Sequence, residues 1–357
     1  MKYAENEKIS QKQLFSQASV SMLGLCLMAV PEFMRFSLKS VTVCLILAAI
    51  FFWVQSVSFI RICACYEKPL QYFGKWMGKG FGLIYVCYLF ASQILLLRLI
   101  ADLANYYFVE RTSKGWLIVL TGVVCAFGMY RQIEKRARIG EIILPVILFF
   151  IVVMLILAFR DFSFGELLKE SKKQITAMEV LAGVYQCICL FLPVYFLPFL
   201  LMQTKKNSSA KKSINGSICM NLGIMFVALL LLLGLLGREG YQHKKYPMID
   251  LMSGVNLPGD FFQRSDLFWS GSLLFCLFYL CGSIFFYQHE ILKRCEIENW
   301  NLVIIMIEIV LAVFAKQFKL SLEMYRMLIL YGYGILFPVL TLLAGIQYKR
   351  KRTEKSK

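Results

Sequence analysis

The chain has 357 residues, of which 59% are hydrophobic and only 17% charged, with a formal net charge of +17. A soluble domain carries about 45–50% apolar and about 25% charged residues, so the composition excludes an ordinary water-soluble enzyme. The positive balance does not point to nucleic acid, because no basic stripe with interleaved aromatics stands outside the apolar runs.

The N-terminal residues MKYAENEKISQKQ are polar and mixed in charge. No small-residue cleavage motif follows the first apolar run, so residues 1–13 are expected to be a cytoplasmic segment and the first helix a retained one. Apolar segments then fall at 14–34, 38–60, 81–108, 115–130, 139–159, 178–202, 214–236, 267–289, 300–315 and 323–347. A helix that crosses a bilayer core needs about 20 apolar residues. The predicted fold class is therefore an all-α polytopic membrane protein with about ten transmembrane helices. It forms one transmembrane domain, a bundle over 14–347 with an external loop at 237–266 and a basic cytoplasmic tail at 348–357. With the N-terminus inside, 23 lysines and arginines fall on the inner side and 14 on the outer. That bias favours cytoplasmic N- and C-termini.

Ten spans divide into five plus five, one plan for transporters with inverted repeats. In that plan the first helix of each half is interrupted, and its unwound backbone forms the ligand site. The first span carries Gly24 and ends at Pro31, and the sixth carries Gly183, Pro193 and Pro198. Interrupted first and sixth helices are expected on this ground.

Charges inside the spans come next. Arg98 and Asp102 lie four apart in the third span, on one helix face. Two readings stand: a vestibule or ligand contact, or a pair anchored at the helix end beside Tyr106 and Tyr107. Glu308 sits in the middle of LVIIMIEIVLAVF, with no partner evident from the sequence. The twelve cysteines fall mostly within apolar runs and read as small hydrophobes. No HExxH, G-x-S-x-G or Walker loop is present, and two histidines are too few for a multi-histidine metal site. No enzymatic activity, metal or cofactor is expected.

Several stretches in order resemble the B subunit of bacterial spore germinant receptors. These are ISQKQLF before the first span, LRLIADLANYYFVERTSKGW at the end of the third, and IEKRARIGEIILPVILF, with Ala137, Arg138, Glu141 and Pro145 in the A-R-x-x-E-x-x-x-P pattern. LPFL at 197–200 and YPMIDLMSGVNLPGDFFQRSDLFW at 246–269 complete the likeness, which covers about 9 to 345. This GerAB-type family belongs to the amino acid–polyamine–organocation transporter superfamily, and the resemblance implies a LeuT-like fold used for sensing. It also implies a small, amino-acid-like germinant, partnership with a membrane-anchored A subunit and a C lipoprotein, and residence in the spore inner membrane. Where the family carries a P-F-G-E-like turn, this chain reads Gln186-Cys187-Ile188-Cys189. The unwound turn is thus expected to be shorter, or shifted toward Pro193.

The ligand site expected on this basis has free backbone groups at Ser21, Leu23, Gly24 and Leu25. A half-helix there would present its positive end to a carboxylate. Tyr185, Gln186, Cys187 and Cys189 supply the opposite wall, and Arg98 draws an anion from outside or pairs with Asp102. Two other functions compete: an ion-coupled amino-acid permease of the same superfamily, and a scaffold with a vestigial pocket. In the external loop, Tyr246-Pro247 predicts an extended start. Ile249, Met252 and Val255 then fall on one side of a short interfacial helix, read as a lid, a docking edge for a partner, or a seal against lipid.

Overall fold

The computed structural model describes residues 9–67, 75–129, 133–159, 162–171, 174–190, 204, 207–242, 246–253, 266–314, 345–346 and 350. Among them the chain forms α1 (Gln11–Phe33), α2 (Leu38–Glu67), α3 (Lys75–Tyr107), α4 (Lys114–Met129), α5 (Ile133–Ala158) and α6 (Phe164–Ser171). Then follow α7 (Ala177–Leu190), α8 (Asn207–Gln242), α9 (Pro247–Ser253), α10 (Asp266–Arg294) and α11 (Asn301–Phe314). Every predicted apolar segment but the last carries one of these helices; 323–347 lies outside the described residues except for 345–346. Six of the described helices are long and apolar enough to cross a membrane. The short helix α6 occupies a connection that the sequence left as a loop, and α9 is the short helix expected in the loop before α10.

Lipid-facing and protein-facing stripes separate cleanly. On α5, Ile142, Val146, Phe149 and Ile156 are exposed, while Leu144, Ile147, Ile151 and Ala158 are buried. Both stripes follow the three-to-four spacing of a helix face. In water such an exposed stripe would be a large apolar patch; on a multi-pass membrane protein it faces acyl chains. α11 repeats the pattern, burying Asn301, Ile305, Glu308 and Ala312 and exposing Met306 and Val310.

The helix termini are satisfied locally. Ser10 and Gln13 form a reciprocal capping box at the start of α1, which supplies two of the N–H groups that a helix start leaves unpaired. The α3–α4 turn closes on Asn105, whose Nδ2 donates to the carbonyls of Val109 and Thr112 at 3.2 and 2.7 Å. α1 begins at one face of the bundle, here the near face, and ends at the opposite, far face. Ile9 pairs with Thr204 in a parallel bridge at the near face. α7 starts at the far face, and Thr204, beyond the sixth predicted span, lies at the near face.

Among the described residues, the packing pairs the helices of the first half with those of the second. α1 lies on α8, and its counterpart α7 lies on α2. α4 lies on α10, and its counterpart α11 lies on α3. The pairs α3–α10, α2–α8 and α4–α11 each join an element to its own counterpart. The adjacency is that of one repeat inverted upon the other, as the sequence predicted.

The expected interruption of the first helix is corrected by the structure. α1 runs unbroken through Ser21–Leu25. Ser21 Oγ donates back to the Gln17 carbonyl at 2.8 Å, one helical turn earlier. A Cβ at Gly24 would lie 2.9 Å from Cys276 Cβ and 3.2 Å from Leu277 Cδ2 of α10. The glycine therefore allows close approach of two helices, a general role of small residues in membrane interfaces, and no backbone is released. Pro31 falls in the last turn, where Met34 N–H donates to its carbonyl at 3.2 Å, so the proline marks the helix end. Gly183 plays the same part on α7, facing Cys44 Sγ of α2 at 2.9 Å. α7 is helical through Tyr185–Cys189, and Pro193 and Pro198 lie outside the described residues.

Candidate functional site

Where α1 ends, the sequence places opposite charges three residues apart, Glu32 and Arg35, one on the last turn of the helix and one in the turn that follows. Gln186 enters from α7 and lies between them. Arg35 Nη2 donates to Gln186 Oε1 at 2.8 Å, and Gln186 Nε2 donates to the Glu32 carboxylate. The amide is 7% exposed and is held at both ends. A glutamine can do this because it carries an acceptor and two donors on one rigid plane. Close by, Ser37 N–H donates to Glu179 Oε2 at 3.2 Å, tying the start of α2 to the start of α7. The guanidinium of Arg35 also stands 5.1 Å from the centre of the Phe36 ring. The cluster thus presents a carboxylate, a guanidinium and an amide at the junction of α1, α2 and α7.

The other predicted residues are distributed differently. Ser21, Leu23 and Gly24 are buried inside continuous α1, and Leu25 is half-buried beside them. Tyr185 is half-buried on α7, and Cys187 Sγ lies 3.7 Å from Cys44 Sγ of α2. Cys189 belongs to α7, but its side chain lies outside the described ones. Gln186 therefore meets α1 at Glu32, about 16 Å along the helix from Ser21 at 1.5 Å per residue. The anticipated Arg98–Asp102 pair does not form. Lys114, at the start of α4, takes the Asp102 carboxylate instead, and Arg98 has no ion pair among the described residues. The sequence reading missed Glu32 and Arg35 because they were counted as the end of a span. Two opposite charges beside a helix-terminating proline were the available signal.

A second polar belt crosses the core between α1, α5 and α10. Gln17 Nε2 donates to Tyr287 Oη at 3.0 Å. The buried guanidinium of Arg136 donates to Ser283 Oγ at 2.7 Å and to the Tyr279 carbonyl at 3.3 Å. It also lies 5.5 and 5.7 Å from the Tyr279 and Phe286 ring centres. Tyr279 Oη returns a hydrogen bond to the Arg136 carbonyl at 3.1 Å. A buried cation is costly unless its donors and charge are answered; here carbonyl and hydroxyl oxygens answer Nη2 and ring faces meet the charge, while Nε has no partner among the described residues. Arg138, one of the resemblance residues, pairs instead with Glu134 on the surface of α5, and Glu141 pairs with Lys12 at 2.9 Å.

At the far face, Tyr246 packs edge-to-face against Tyr106 and tilted against Tyr107, with ring centres 5.5 and 6.1 Å away. Burial raises the Tyr246 phenol above its ordinary value. The Tyr107 hydroxyl donates to Asp250 Oδ1 at 2.7 Å, and Met248 and Ile249 are buried. The predicted short helix is thus present as α9 and docked on the bundle. Val255 and the Met252 side chain lie outside the described ones.

Comparison with known proteins agrees with this architecture. A family model described as spore germination protein matches residues 8–321. The spore germination protein YndE of Bacillus subtilis (strain 168) is 24% identical over 206 residues. That match covers 57% of this chain and 55% of the relative, so the chain spans about half the length of the curated relative it matches. Among solved structures, the nucleobase-cation-symport-1 family transporter MHP1, in a closed conformation with bromovinylhydantoin bound, superposes with a TM-score of 0.61 at 14% identity. It covers 96% of this chain and 78% of the other. A mutant of the Eremococcus coleocola manganese transporter gives a TM-score of 0.58 at 15% identity, over 94% of this chain and 78% of the other. Both likenesses speak to the fold alone, which is LeuT-like.

Proposed function

Because this chain belongs to the spore germination protein family, we propose that it is the membrane B subunit of a nutrient germinant receptor, binding a small amino-acid-like germinant and signalling to its partners. The observation that carries this reading is Gln186 held between Glu32 and Arg35. An amino acid is a zwitterion, and its ammonium and carboxylate need an acid and a base a few ångströms apart. Charge-assisted hydrogen bonds to Arg and to a carboxylate are the strong ones. On entry the ligand replaces the amide bridge: Arg35 takes its carboxylate, Glu32 takes its ammonium, and Gln186 is released. The release of α7 from the end of α1 is the signal.

In this reading the N- and C-termini are cytoplasmic, the far face looks outward from the spore inner membrane, and the partners are a membrane-anchored A subunit and a C lipoprotein. The transporter fold of the structural neighbours favours one alternative, an ion-coupled amino-acid permease.

The test uses the full chain in lipid nanodiscs and in spores. A panel of amino acids is screened by thermal shift, and Glu32→Gln, Arg35→Ala and Gln186→Leu are compared with wild type. The stabilising amino acid should lose its effect in Arg35→Ala by at least tenfold in apparent affinity, and spores carrying that variant should not respond to it. Equal shifts in wild type and Arg35→Ala would remove this cluster from ligand binding. Concentrative uptake of the labelled amino acid by proteoliposomes would establish the permease instead.

A further inference from the structure

α11 turns Glu308 into the protein, where the residue is fully buried. Neither carboxyl oxygen has a hydrogen-bond partner among the described residues. Gln288 of α10 is also fully buried and stands beside Glu308, close enough for its amide to reach the carboxyl, yet among the described residues neither its Nε2 nor its Oε1 meets hydrogen-bond geometry. Cys281 of α10, within electrostatic range of the same carboxyl, receives a hydrogen bond from Gln93 Nε2 of α3 at 2.8 Å. That bond fixes the amide of Gln93 by its nitrogen and leaves Oε1 buried without a donor. Cys125 of α4 adjoins Cys281. Three helices from different parts of the chain thus bring unanswered polar atoms to one apolar place.

With Glu308 ionised, its two oxygens, Gln288 Oε1 and Gln93 Oε1 are acceptors without a donor among the described residues, and the donors at hand are all neutral: Gln288 Nε2, the second N–H of Gln93 Nε2 and the Cys281 thiol. None of them balances the negative charge of the carboxylate. No basic side chain among the described residues faces the carboxyl: α10 presents Cys281 and Gln288, α3 presents Gln93, and α4 presents Cys125. A lone ion at membrane depth is expensive, and such groups mark ion or proton sites. One added proton removes the charge, turns an acceptor into a donor, and lets the acid and the Gln288 amide answer each other.

We propose that Glu308, Gln288 and Gln93 form a proton-binding site between α3, α10 and α11, in which the Glu308 carboxyl holds the proton. Proton binding there is separate from the α1–α7 junction, so the site stands or falls independently of germinant binding. α10 also borders α1, where its Cys276 and Leu277 take Gly24.

The full-length protein, reconstituted in vesicles of phosphatidylethanolamine and phosphatidylglycerol, is examined by infrared spectroscopy at neutral and mildly alkaline pH. Wild type should show the carbonyl stretch of a protonated carboxylic acid, shifted on transfer to deuterated buffer. Glu308→Gln should lose that band entirely while keeping its helical amide signal. Glu308→Asp should retain it, and Gln288→Leu should shift it. The proposal is overturned if wild type lacks the band, or if the band survives in Glu308→Gln. A wild-type melting temperature raised by sodium or potassium over choline, with no acid band, would show a metal-cation site and overturn the proposal equally.

Discussion

At Gly24 a hydrogen in place of a side chain lets α1 close on α10, with Cys276 and Leu277 directly opposite. Overpacked interiors lose about 1–3 kcal/mol, so Gly24→Leu is expected to lower the melting temperature of the purified protein and reduce its yield in membranes. Gly24→Ala should do so to a smaller degree. A Leu variant as stable as wild type would restore the pocket reading that the sequence suggested. A second residue-scale test concerns Cys295, which is buried behind Gly82 and whose thiol burial holds above its ordinary value. The thiolate is the reactive form, so at neutral pH maleimide should label Cys295 only after denaturation; labelling of the folded protein would show that α10 frays at its end. Gln186 was legible in the sequence as a polar residue in an apolar run. Its partners Glu32 and Arg35 were not, because sequence does not say which charges at a helix end a distant helix will reach.

The elements were easier to read than their breaks. Long apolar runs become helices in a bilayer because every backbone group must be satisfied within the segment, and all the predicted spans that lie within the described residues are helical. Glycine was ambiguous. It permits unwinding, but it also permits two helices to touch, and Gly24 and Gly183 both serve contact. Choosing between these uses requires knowing what lies opposite, which is tertiary information. The contact of α7 with α2 offers a direct test. Cys44 and Cys187 have sulfurs 3.7 Å apart, against about 2.0 Å in a disulfide, so a small approach lets them join under oxidation. Copper-phenanthroline treatment of spore membranes is expected to cross-link α2 to α7 and abolish the germinant response, with reductant restoring it. Cys44→Ser should make oxidation harmless. A cross-linked protein that still responds would show that α7 does not move against α2.

For the whole molecule, orientation is the next quantity to establish. Thr112 lies in the α3–α4 turn at the far face, and Glu298 in the turn between α10 and α11 at the near face. An impermeant maleimide on intact cells is expected to label Thr112→Cys, and to label Glu298→Cys only after permeabilisation; the reverse pattern would invert the topology. The inverted relation of the two halves was legible from the number of spans. The docking of the loop before α10 was not, because it depends on where the ends of α3 and α9 come to lie. That docking has a statistical consequence. Tyr107 and Asp250 share a hydrogen bond of 2.7 Å. A hydrogen bond to a charged group is worth about 1.5–3 kcal/mol. Removing it multiplies the share of molecules with α9 detached by roughly ten to a hundred and fifty, at about 1.4 kcal/mol per tenfold. Tyr107→Phe should therefore raise the hydrogen-exchange rate of the α9 amides by that factor. Under the proposed germinant reading, a larger detached share in a population of resting spores is noise, read as germination without nutrient.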